Sequence, residues 1–179
     1  AGMTNHPDIE ATANRVEEFS ALGLSVVTLG SWTLGEARGG NVYERTIHGW
    51  SEISLQESVD IERGIGYNKH GLPNMGTDVG FERLDDFIDI ASHRNLEIAL
   101  SLSPITDATE QELPELLDLA HKALQRGILF VEINMSCPNL VGREPFYSDP
   151  NQMQALLRAL EQQSVLRNKN DQNGIFIKF

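Results

Sequence analysis

Apolar positions along the chain fall into two alternating patterns. In residues 7–22, "PDIEATANRVEEFSAL", Ile9, Ala13, Val16 and Phe19 share one face, which is helical spacing. Pro7 suits the first turn and Gly23 the stop. "LSVVTLG" at 24–30 is a short valine-rich apolar run and predicts a buried strand. A helix follows at 81–94, then a strand at 96–103, "LEIALSLS". The spacing predicts a third helix over 109–127, with Thr109 as its cap and Pro114 tolerated only near its start. "ILFVEIN" at 128–134 is a strand, 149–166 a helix opened by Asp149 and Pro150, and "GIFIKF" at 174–179 a strand. Strands alternating with helices predict an α/β fold with a parallel sheet covered by helices. The strands read as apolar on both faces, as in a buried parallel sheet.

Residues 35–80 break this rhythm. They show no sustained period and carry nine glycines, from Gly35 to Gly80. A loop of that length after a strand is usually functional, because α/β folds place their sites at the carboxyl ends of strands. The chain opens on "AG" directly ahead of a helix and closes inside a strand.

Composition narrows the classes. The chain has 179 residues, 40% hydrophobic, enough for a core and consistent with one domain. Its net charge is −12 with scattered basic residues, which argues against nucleic acid and membrane surfaces as partners. No apolar run approaches the ~20 residues of a membrane span, and no signal peptide is visible. The single cysteine, Cys137, excludes an internal disulfide and a cysteine-rich zinc site, and fits a reducing compartment. The five histidines lack metal-ligand spacing; His93 and His121 fall in predicted helices, where exposure is the default. Neither GxGxxG nor a P-loop occurs.

Four segments carry candidate chemistry. "EINMSCPNL" puts Cys137 just past a strand end, where a thiol serves as nucleophile or proton acceptor, or is simply buried and inert. Asn134 and Asn139 flank it, and paired amides suit a planar, amide-rich ligand as well as turn chemistry. "NKHGLPNMG" at 68–76 brings Asn68 and Asn74 around a glycine and a proline. In "TLGSWTLGEARGGN", Gly30 and Ser31 are small enough for close approach of a flat ring or a phosphate, or form an ordinary turn. Lys178 lies in an apolar strand, so it points outward or faces something anionic.

Taken in order, these segments resemble the FMN-dependent dihydroorotate dehydrogenases, closest to the soluble class with a cysteine base. The resemblance implies a TIM-type (β/α)8 barrel, of which residues 1–179 cover the end of strand 1 through strand 5, with a loop or lid insertion at about 35–80. It implies that Cys137 takes the C5 proton of dihydroorotate while hydride leaves C6 for flavin N5, giving orotate, in pyrimidine biosynthesis. It assigns Asn68, Gly71, Leu72, Asn134 and Asn139 to the substrate, and Ala1, Gly2, Gly30, Ser31 and Lys178 to FMN. "TLGS" after the second strand is closer to the membrane-associated class, which also carries serine in place of the cysteine. The phosphate loops of such barrels follow strands seven and eight. The expectation is therefore that the isolated chain holds FMN weakly, is inactive, and associates with itself or with the remaining barrel half. A cytoplasmic location is expected. Two other readings remain: a related flavin enzyme acting on uracil-type rings, and a non-catalytic, self-associating half-barrel.

Overall fold

The computed structural model describes residues 9–35, 43–46, 49–52, 58–60, 65–67, 74–104, 109–135, 149–164 and 174–178. The chain begins with α1 (Ile9–Ala21) and β1 (Val26–Trp32). Two antiparallel pairs follow, β2 (Tyr43–Thr46) with β3 (Gly49–Glu52), and β4 (Ser58–Asp60) with β5 (Ile65–Tyr67). Then come α2 (Gly76–Glu82), α3 (Leu84–Ser92), β6 (Glu97–Leu102), α4 (Thr109–Gln125), β7 (Phe130–Asn134), α5 (Pro150–Ser164) and β8 (Gly174–Lys178).

β1, β6, β7 and β8 form one parallel sheet in that spatial order. Spatial order follows chain order without reversal. Right-handed crossovers then bring successive connecting helices to the same face of the sheet. A doubly wound sheet instead reverses direction at a switch point. The fold is thus α/β with barrel-type winding over these four strands.

The helix face is the apolar core. Val27, Leu29 and Trp32 of β1 meet Ile98, Leu100 and Leu102 of β6, then Val131 and Ile133 of β7. Above them α4 lays down Leu113, Leu116, Leu117, Ala120 and Ala123, all buried, at the i, i+3, i+4, i+7, i+10 spacing of one helical stripe. Fully burying a leucine contributes ~1.5–3 kcal/mol, so this stripe outweighs intrinsic propensity in holding α4. Pro114 stands in the second turn of α4 on its exposed side.

Two expectations need correction. The long excursion contains the β2–β3 and β4–β5 pairs, whose strands of three or four residues are too short to display a period. The helix expected at 81–94 is two helices broken at Arg83, and the first starts earlier, at Gly76. Gly76 and Gly80 disguise that start as loop. Gly80 is there for space: a Cβ on it would lie 2.6–2.8 Å from ring atoms of Trp32. Trp32 fills that space and touches Phe81 edge-on, with ring centroids 6.2 Å apart. Among the described residues, no helix is long and apolar enough to cross a membrane.

Candidate functional site

The opposite face of the same sheet is polar near the carboxyl ends of the strands. Side chains alternate across a strand, so β7 sends Val131 and Ile133 to the helices and Glu132 and Asn134 the other way. In β6 the same alternation gives Ala99 and Ser101, continued by Ser103. β1 changes step at its end. The Gly30–Ser31 peptide is cis, Gly30 has φ +102°, and the register with β6 shifts between Leu29 and Trp32. This irregularity accompanies a buried Ser31 on the polar side and a buried Trp32 on the helix side.

One hydrogen-bonded chain joins the four strands. Asn134 Nδ2 donates to Ser31 Oγ at 2.9 Å. Ser31 and Ser101 hydroxyls lie 2.7 Å apart. Ser101 Oγ donates to Glu132 Oε1 at 2.8 Å, and Lys178 Nζ donates to the same oxygen at 2.8 Å. A serine has one hydroxyl proton. Ser101 gives its proton to Glu132, so Ser31 donates to Ser101. Every bond in the chain therefore points toward one carboxylate oxygen. Asn134 is further fixed by Ser103, whose Oγ donates to its backbone carbonyl at 2.9 Å.

A second polar knot ties the end of β1 to the start of α2. Asn74, 4% exposed, accepts from Thr33 N at 3.0 Å and from Gly76 N at 2.9 Å through Oδ1. Its Nδ2 donates to Thr33 Oγ1 at 3.0 Å. Buried amides with no such partners are costly, and here one side chain satisfies two backbone donors.

Of the residues singled out from sequence, Gly30, Ser31, Asn134 and Lys178 are described. Ser31, Asn134 and Lys178 come together in the chain of hydrogen bonds. Gly30 is adjacent, and its bare Cα is already used by the sheet, because a Cβ there would run into the Ser101 carbonyl. Ala1, Gly2, Asn68, Gly71, Leu72, Cys137 and Asn139 lie outside the described residues. Sequence reasoning missed Ser101 and Glu132. Glu132 carried the signal that flagged Lys178, a charge inside an apolar strand. The expectation of strands apolar on both faces is corrected by this polar side. His121 is half-buried, and its Nε2 has no hydrogen-bond partner among the described residues, in place of the exposure expected. Among the described residues, no group of His, Cys, Asp or Glu could hold a metal ion.

A family model described as dihydroorotate dehydrogenase matches residues 8–179. The chain belongs to the dihydroorotate dehydrogenase family. The match takes in all four sheet strands and the whole polar chain. No curated protein matches the chain. The family builds a β/α barrel, acts as an oxidoreductase of the dehydrogenase type, and is generally flavin-dependent. The Lys178 ammonium, 40% exposed on this polar face, fits the electron-rich edge of a flavin ring. An ammonium has three donors, and among the described residues Lys178 directs one to Glu132.

Proposed function

We propose that this chain takes part in oxidising dihydroorotate to orotate with FMN, a step of pyrimidine biosynthesis. The observation that carries the reading is the meeting of Ser31, Asn134 and Lys178, from three distant segments, on one polar face at the carboxyl ends of the strands. In this reading residues 1–179 belong to a single β/α barrel domain, and about 35–80 border the lid. Pairing with another copy or with further barrel strands belongs to the same proposal; Phe176 on edge strand β8 is 57% exposed and offers apolar surface for it.

When bound, FMN supplies the acceptor for the hydride that leaves C6. The chain's residues do the rest. Cys137, three residues beyond β7 in sequence, takes the C5 proton, so that the C5–C6 double bond of orotate forms as the hydride departs. Asn134, with Asn68 and Asn139, offers amide donors and acceptors to the imide ring and its carboxylate. Gly71 and Leu72 present backbone to the substrate. Lys178 places positive charge where the cofactor gains negative charge, while Ala1, Gly2, Gly30 and Ser31 flank the flat ring.

Anaerobic addition of dihydroorotate to the FMN-loaded protein, with the remaining barrel strands supplied, tests this. Bleaching of the flavin absorption is expected, slowed at least tenfold by Cys137→Ser near neutral pH, the order of effect of losing a positioned base. An unchanged rate removes Cys137 from the role of base. A spectral response to uracil and none to orotate replaces the substrate assignment.

A further inference from the structure

Glu132 has no part in the reading above, yet two donors of the polar chain converge on it. Its Oε1 accepts from Lys178 and from Ser101 at 2.8 Å each. The strand register makes this arrangement informative. Lys178 pairs across β7–β8 with Asn134, whereas Glu132 pairs with Phe176. The Cα of Lys178 therefore sits beside Asn134, two residues nearer the carboxyl mouth than Glu132. Two residues of strand rise ~6.6 Å. The Lys178 and Glu132 side chains close that offset between them to meet at 2.8 Å. Glu132 is 23% exposed and Lys178 40%, so this pair lies between surface and interior. An isolated pair at that exposure contributes little to stability. What it does contribute is position, because a lysine stem has many rotamers and one anchored geometry here.

We propose that Glu132 is a positioning residue. Its carboxylate sets the depth of the Lys178 ammonium on the polar face, and through Ser101 and Ser31 ties that depth to the orientation of the Asn134 amide. With Glu132 in place, the cation arrives at the site already paired. Without it, the ammonium extends toward the mouth as an uncompensated charge. The assignment rests on the proposed function for its meaning, since Lys178 faces the cofactor there, but the positioning itself is readable without flavin.

The test is competitive acylation of lysines in the full 179-residue chain, with each site quantified by mass spectrometry. Lys122, paired with Asp118 at 2.7 Å on α4, is the internal reference. An ammonium held by a carboxylate reacts slowly. Glu132→Ala is expected to raise acylation of Lys178 relative to Lys122 by about two- to fivefold, the range set by a partly exposed ion pair. Glu132→Gln keeps a carbonyl acceptor and loses the charge, so it is expected to fall between. Should the alanine variant not fold, the glutamine variant decides. A Lys178 to Lys122 ratio unchanged in folded Glu132→Gln overturns the positioning role. A second arm adds FMN to the wild-type chain. Protection of Lys178 by FMN with no effect of Glu132 substitution overturns the positioning role alone. A Glu132 effect supports positioning whether or not FMN, held weakly by these residues alone, protects Lys178.

Discussion

On the helix side of β7, Val131 and Ile133 have no exposed surface; on its other side, Glu132 is 23% exposed and Asn134 6%. The same five-residue strand therefore serves two environments. The helix side obeys packing: leucines, isoleucines and one tryptophan against helical stripes, with no charge among them. The polar side obeys hydrogen bonding, with Ser31, Ser101, Glu132, Asn134 and Lys178 each engaged by a named partner. The difference teaches where free energy resides. Apolar burial on one face stabilises the sheet, while the other face contributes little net stability and holds donors in place.

Four variants press on that contrast. Trp32→Ala empties the largest side chain of the helix side and is expected to lower unfolding free energy by about 3–5 kcal/mol, read from the denaturant midpoint. A loss under ~1 kcal/mol would move the centre of stability elsewhere. Asn74→Ala removes a buried acceptor shared by Thr33 N and Gly76 N and is expected to cost about 2 kcal/mol or more, since each of the two orphaned donors costs at least ~1 kcal/mol. A loss under ~0.5 kcal/mol would mean that these hydrogen bonds contribute little. Gly80→Ala drives a methyl against the Trp32 ring and is expected to cost about 1–3 kcal/mol through overpacking. Combining it with Trp32→Phe should restore part of that loss, and strict additivity would deny the contact. Smallest of all, the pair Glu132→Gln with Lys178→Met is expected to shift stability by about 1 kcal/mol or less, while abolishing any dependence of flavin binding on Lys178. A large loss of stability there would make the polar side structural after all.

Much of this was readable beforehand. The helix and strand order follows from periodicity, because α4 and the β6, β7 and β8 strands are long enough to repeat their pattern. The chain β1–β6–β7–β8 emerges within a few residues of the expected limits. The short β2–β3 and β4–β5 pairs are illegible because three or four residues hold at most two cycles of alternation, too few to stand out. The polar side is partly hidden for another reason. Serine is small and neutral, so "LEIALSLS" reads as an apolar strand although Ser101 and Ser103 recur with period two. Lys178 stands out in the sequence as a charge in an apolar strand, but its partner lies 46 residues earlier, and ion pairing across β7–β8 depends on register that one sequence does not display. The bend at Gly30 was visible only as a pair of small residues; the reason for the glycine, the Ser101 carbonyl, belongs to another strand.

The chain from Asn134 to Glu132 has one more consequence. It takes a link from β1, from β6 and from β7, and β8 joins at its end through Lys178. A strand paired one residue out exchanges its two faces completely. For β7 such a slip would push Glu132 under α4, a bare carboxylate among leucines, and would set Ile133 where the hydroxyls wait. For β6 it would offer Leu100 or Leu102 to Ser31. The polar residues thus act as proofreaders of assembly: they add little to the energy of the correct alignment and penalise the neighbouring wrong ones heavily.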